Sequence, residues 1–206
     1  MFQITSVKDK PSIYRSGYGD LYQYNVYIGK QKIDRLSTKN SYWFISDGRA
    51  QCYTPRVEGA ESLDVDLFCV EIFGYTPEDR SSCFDKGTDL PYVNGCSTKQ
   101  LIPAARPGDP TFQYLLIPAG CSEQEHHIHA TPRVVYVYKG EGVSIVGMGT
   151  NQEAYKLVEG DLIVLDKMVP HHFETKDQDL VVLPIHIFSS GPSEFNHPMF
   201  NGTHKV

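Results

Sequence analysis

Apolar residues in this chain come in short runs that polar residues and turn formers interrupt roughly every eight to twelve positions. Residues 21–28 alternate and end at Gly29, and residues 42–45 are a compact apolar run closed by Ser46, Asp47 and Gly48. Residues 63–73 read as one strand or two joined. Further on, strands are predicted over 111–117, 134–138, 143–146, 154–158, 162–165 and 180–188, with turns at 139–142 and 159–161. Alternation with a period of two is the signature of a pleated strand. The fold class this predicts is all-β, a sandwich or barrel. One helix start stands out: Thr76 can cap, Pro77 suits the first helical position, and Glu78 and Asp79 favour the first turn, so a turn or two of helix is expected there.

Pro103, Pro107, Gly108 and Pro110 exclude regular structure over 103–110. We read that stretch as a connector between an N-terminal β region over 1–102 and a second β unit over 111–190. A tail over 191–206, rich in Gly, Pro, Asn and His, is expected to wrap the surface. Residues 42–48 faintly echo 136–140, and 66–70 echo 161–165. A duplication is one source of such an echo, and chance in an apolar β chain is another.

At 206 residues the chain is long enough to bury a core without covalent staples. A net charge of −6 argues against nucleic acid and anionic membrane as partners. No apolar run approaches the roughly 18 residues that cross a bilayer. The start of the chain has no apolar stretch of the kind that marks a secretory leader. The five cysteines are odd in number and have no CxxC spacing, which points to a reducing, cytoplasmic location. Asn201-Gly202-Thr203 is then a chance match to a glycosylation sequon.

Candidate chemistry gathers late in the chain. All eight histidines follow residue 125: His126, His127, His129, His171, His172, His186, His197 and His204. Residues two apart in a strand project from one face, roughly 7 Å apart along the chain. His127 and His129 therefore project together, and His126 and Ile128 face the other way. His171 follows a turn, a strand and a loop, the path by which a neighbouring strand returns to the same point. Three neutral imidazoles suit a divalent first-row metal and leave coordination positions open.

The spacing of these residues resembles the two motifs of the cupin superfamily. Gly120, His127, His129 and Gly140 match the first, with a leading spacer of six; Gly160 and His171 match the second, with Asp166 and Met168 where Pro and Gly usually stand. The resemblance implies a double-stranded β-helix, or jelly-roll barrel, from about Thr111 to Phe188. Together with the internal echo it opens the reading of a bicupin with a degenerate N-terminal half that has lost its ligands. Where cupins usually carry a glutamate ligand this chain has Arg133, or Val134 with the longer spacer. The implied metal site is His127, His129 and His171, neutral, and similar to that of iron(II) cupin dioxygenases. Fe(II) is the expected ion, ahead of Zn, Ni, Mn or Cu. Glu123 or Glu125 is an alternative fourth ligand.

Tyr136, Tyr138 and His186 are the candidate catalytic residues, as hydrogen-bond donors or proton carriers, with core packing as the alternative for the tyrosines. Arg133 is expected to face solvent, or otherwise to bind a substrate carboxylate. Cys121 is expected to be an ordinary buried thiol and His172 to point outward. The expected partners are a small-molecule substrate and, because such barrels often pair through strand edges, a second copy in a homodimer. The expected function is an iron(II) dioxygenase or oxidase of a small polar molecule. The alternatives are a metal-dependent lyase or isomerase, or a non-catalytic ligand-binding or metal-binding barrel.

Overall fold

A single strand, bent at a glycine, joins the two walls of the barrel that dominates this structure. The computed structural model describes residues 2–17, 22–84, 87–88, 90–106 and 108–187. The expected tail over 191–206 and the end of the last strand at Phe188 lie outside these residues. The strands of the first half are β1 (Phe2–Ser6), β2 (Ser12–Arg15), β3 (Tyr24–Ile28), β4 (Gln31–Asp34), β5 (Asn40–Ser46), β6 (Arg49–Tyr53), β7 (Ser62–Val65), β8 (Phe68–Phe73), β9 (Arg80–Cys83), β10 (Leu90–Pro91) and β11 (Ser97–Ile102). Those of the second are β12 (Thr111–Ile117), β13 (Arg133–Val146), β14 (Glu153–Val158), β15 (Asp161–Leu165), β16 (His171–Glu174) and β17 (Leu180–His186). Among the described residues the only helical turns are two 3₁₀ turns, Val93–Gly95 and Gly149–Asn151. The fold is all-β, as the alternation predicts.

The larger sheet runs β1-β15-β13-β17-β12-β11-β10, with β14 and β16 also paired to β13. The second sheet runs β2-β3-β8-β5-β6-β9, and β4 pairs with β7 alone. None of the described residues over 103–110 is in a strand or helix. Strands on both sides of that connector nevertheless share one sheet: β1, β10 and β11 complete the sheet built from β12 onward. The echoed segments hold comparable places, since Trp43 pairs with Val70 in one antiparallel ladder and Tyr136 with Leu162 in another.

The sequence predicts two strands and a turn over 134–146, and here the structure differs. β13 is one 14-residue strand. Its first part pairs with β15 and β17, and its last part, from Glu141, pairs with β14 and β16. A bulge between Val137 and Lys139 precedes Gly140, whose φ is +85°. A Cβ there would lie 1.9 Å from the Asp179 carbonyl oxygen, and one at Gly142 would lie 2.7 Å from that of Glu174. The Gly-Glu-Gly stretch therefore bends a strand between crowding backbones instead of reversing it.

The first part of β13, over 133–137, is buried on both faces, as are β15 and β17. One face packs on the second sheet, where Val134, Tyr136, Leu162, Val164, Leu183 and Ile185 meet Tyr24, Trp43, Phe68 and Val70. The other lines the barrel, with Val135, Val137, Ile163, Leu165 and Val182. This is why these segments read as continuous apolar runs in the sequence. Each such side chain contributes about 1.5–3 kcal/mol when taken fully out of water.

The expected helix at Thr76–Asp79 does not form, a correction with a clear cause. Backbone and side-chain bonds hold the segment extended against its neighbour: Thr54 N–H donates to Asp79 (2.9 Å), Thr54 Oγ1 to the Pro77 carbonyl (2.9 Å), and Arg56 to Asp79 (3.2 Å). Tertiary partners outweigh the local capping signal.

Gly140→Ala is expected to destabilise the protein by about 3 kcal/mol, combining left-handed backbone strain with the forced shift of Asp179. The check is urea denaturation, where the midpoint should fall while the slope stays unchanged.

Candidate metal centre

His127 and His171 sit opposite each other and exchange both backbone bonds, His127 N–H to the His171 carbonyl at 3.2 Å and His171 N–H to the His127 carbonyl at 2.9 Å. Met168 N–H donates to the His129 carbonyl at 2.7 Å. The HxH segment is thus not in a regular strand, as the alternation had led us to expect. It makes one isolated bridge at His127 and is laced to the approach of β16. Met168, which stands where the resembled motif usually has Gly, adopts φ +63°, the left-handed conformation that favours glycine.

Carbonyl oxygens fix two of the rings. His127 Nδ1–H donates to the Glu125 carbonyl (2.8 Å) and His171 Nδ1–H to the Val169 carbonyl (2.8 Å). A carbonyl only accepts, so each Nδ1 carries the hydrogen and each Nε2 keeps a lone pair. The Nε2 atoms of His127 and His129 lie 2.8 Å apart, and one nitrogen from each of the three rings falls within 4.8 Å of the others. Burial drives the pKa of His127 below its ordinary value, that of His171 down to about 4 and that of His129 down to about 2. These rings are neutral at physiological pH, the state that ligates metals. Outer hydrogen bonds of this kind are how proteins orient ligating imidazoles.

His129 and His171 open onto a cavity of about 340 Å³ inside the barrel, which Arg133, Glu123 and His186 also line. The expectation that Arg133 faces solvent is corrected. β13 begins immediately after Pro132, and its first residue already points inward, with Val135 next on the same face. Arg133 Nη1 donates to the hydroxyl (3.2 Å) and carbonyl (3.4 Å) of Thr131. Burial lowers its pKa to about 10, with Glu123 pulling the other way, so it stays charged at neutral pH. Glu123 accepts from Phe173 N–H at 3.2 Å, and its other oxygen is 3.9 Å from His127 Nε2. Burial pushes its carboxyl up to about 7.

His186 faces Arg133 across the β13–β17 ladder, and burial holds it well below its ordinary pKa, neutral. Glu125 is exposed and serves His127 through its carbonyl. Tyr136 and Tyr138 are not brought to the cavity. They share the opposite parity from Arg133 and Val135, and pack against Phe68 and Phe84 respectively, at centroid distances of 5.3 and 4.8 Å. Both rings belong to the packing between the two sheets. Cys121 packs beside the barrel core, away from the cavity lining.

Sequence reading passed over Thr98, Gln100 and Gln113, polar residues that line the cavity from β11 and β12. Gln113 carried a signal, a polar side chain in the mainly apolar β12, whereas Thr98 and Gln100 lie in a largely polar strand that gave none. Tyr92 also lines it, and its hydroxyl accepts a hydrogen bond from Gln124 across the rim.

Residues 113–188 match the family described as the cupin domain. No curated protein matches the chain in sequence. Solved structures that share its fold include the following two. A cupin 2 conserved barrel domain protein from Leptotrichia buccalis is 12% identical, with a TM-score of 0.50 over 86% of this chain and 89% of its own. Streptomyces albus HEPD, solved with its substrate 2-hydroxyethylphosphonate and Fe(II) bound, is 9% identical, with a TM-score of 0.57 over 99% of this chain and 79% of its own. At these identities the likeness speaks for the fold alone. The two spaced histidine motifs and the family match fall within one stretch of the barrel, so residues 113–188 of this chain form a cupin domain.

Proposed function

We propose that the chain is a metal-dependent enzyme in which His127, His129 and His171 hold a divalent ion, and that it acts as an iron(II) dioxygenase or oxidase on a small polar anion. One observation carries this reading. Three neutral imidazoles converge at the wall of a cavity that a buried arginine also lines, Arg133, which stands where the motif usually has glutamate. The donor set fits iron(II), as it also fits zinc, nickel, manganese or copper. The Fe(II) bound in Streptomyces albus HEPD, a protein of the same fold, supports iron first. Bound there, iron(II) supplies the redox chemistry that couples a small molecule to dioxygen.

The chain's own residues bind and orient. The ion's two charges and the guanidinium's one outnumber the single carboxylate of Glu123, and burial makes the imbalance costly. An anionic substrate relieves it. Arg133 offers the planar fork that grips a carboxylate or a similar oxyanion. Thr98, Gln100 and Gln113 supply neutral polar contacts along the far wall, and Leu115, Phe173 and Val182 exclude water. His186, neutral and beside Arg133, can hold or pass a proton.

A second reading has its own support. Glu123 stands 3.9 Å from a ligating ring with its carboxyl raised to about 7, the condition of a general acid or base. That favours a metal-assisted lyase or isomerase, with the ion as Lewis acid and no oxygen consumed. A coordination sphere filled by protein would favour a non-catalytic barrel.

Elemental analysis of purified protein is expected to return one ion at this centre. Replacing His127, His129 or His171 by Ala should weaken iron binding at least about 100-fold, more than the loss of an outer partner costs. Iron-reconstituted protein should consume oxygen with at least one small anion from a panel of thiols, diketones and catechols; a silent panel sinks the oxygenase reading. Turnover that persists without oxygen selects the lyase. With the substrate so found, Arg133→Gln should raise KM about 10–100-fold with a smaller change in kcat, the mark of a lost charged hydrogen bond in binding.

A further inference from the structure

Beside the three-histidine centre, on the opposite side of its ligand segments, stands a second pair of rings. His126 precedes one ligand and His172 follows another, so alternation turns both away from the cavity. Their Nδ1 atoms are 2.7 Å apart and the ring planes are nearly perpendicular, at 89°. Each ring is held from its far end. His126 Nε2 lies 2.6 Å from the Gly147 carbonyl oxygen, and His172 Nε2 lies 2.8 Å from Glu174 Oε1.

Carbonyl and carboxylate oxygens accept and do not donate. Both Nε2 atoms therefore carry hydrogen, and a neutral ring has only one. Both Nδ1 atoms are left with lone pairs, aimed at each other. Two lone pairs at that separation repel unless something positive lies between them. The three-histidine centre shows a similar approach with the nitrogens exchanged: carbonyls hold the Nδ1 hydrogens of His127 and His171, and Nε2 of His127 meets Nε2 of His129 at 2.8 Å.

We propose that His126 and His172 form a second metal site, a two-imidazole site for a late first-row divalent ion of the zinc or copper class. Solvent completes the coordination sphere, since both rings are half-buried. Glu174 orients the His172 ring and offsets part of the ion's charge. The bound ion ties residues 126–129, which lie outside any regular strand, to β16 across the same gap that the inner site spans.

The competing occupant of the gap is a single shared proton, and zinc titration separates the two. Metal-free protein at neutral pH is expected to bind two equivalents of zinc by calorimetry. The double variant His126→Asn, His172→Asn should bind one, and so should His127→Asn, His129→Asn, which leaves the outer pair intact. Glu174→Gln should weaken one of the two equivalents about 10–100-fold and leave the other alone. A double outer variant that binds as many equivalents as the wild type overturns the proposal. Should the outer variant fail to fold, by its circular dichroism, ¹⁵N spectra of the wild-type histidines decide. Loss of every Nδ1–H signal from His126 and His172 at saturating zinc supports the site, and a surviving signal on either ring assigns a proton and overturns it. Because the inner variants report on the other equivalent, failure of the three-histidine reading and failure of this one give different results.

Discussion

The site rests on a backbone clasp. His127 and His171 are 44 positions apart in sequence, yet each donates its N–H to the other's carbonyl. Such an exchange fixes two Cα atoms about 5.5 Å apart and sets the direction in which both side chains leave the backbone. Two imidazoles are thereby delivered to one point before any ion arrives. The third, His129, follows because it is two residues beyond His127 and its own carbonyl is bonded to Met168. Preorganisation of this kind lowers the ordering cost that a metal would otherwise meet. The left-handed backbone at Met168 belongs to the same clasp, since the chain must turn sharply there to bring His171 back.

The clasp needs a stiff support, and the doubly covered sheet provides it. β13 contributes Arg133 and Val135 to the cavity and Val134 and Tyr136 to the layer beneath. The second sheet, which carries no histidine, acts as backing: its Trp43, Tyr24 and Phe68 close the outer face of the barrel wall. Its own centre is held by a buried carboxylate. Glu71 accepts from Asn25 (3.0 Å), Tyr27 (2.9 Å), Asn40 (2.8 Å) and Tyr42 (3.0 Å). Four donors on one buried carboxylate satisfy it without a countercharge. This knot lies far from the ligand segments in topology, so it supports the layer and not the chemistry.

Electrostatics then sorts the cavity. Burial keeps the three rings and His186 neutral and moves Glu123 towards the uncharged form, but it leaves Arg133 charged. On the proposed reading, an anionic substrate would offset the cost of a buried cation beside a divalent ion.

Much of this was legible in the sequence. Period-two alternation determined the all-β class, and the intervals between Gly120, His127, His129, Gly140, Gly160 and His171 pointed to the three rings through their resemblance to the cupin motifs. What the sequence could not decide were matters of side and of distant partners. Whether Arg133 or Tyr136 meets the cavity depends on where β13 resumes after Pro132, a one-residue choice that exchanges every side chain between faces. Whether 139–142 reverses or bends depends on the backbones of Asp179 and Glu174 that crowd its glycines. Whether Thr76–Asp79 coils depends on Thr54 and Arg56, more than twenty positions away. The facing of His126 and His172 arises in the same way, from two segments brought edge to edge. Local pattern fixes periodicity because it is a property of neighbouring residues; facing and contact belong to tertiary structure because they are set by residues that the chain brings together only on folding.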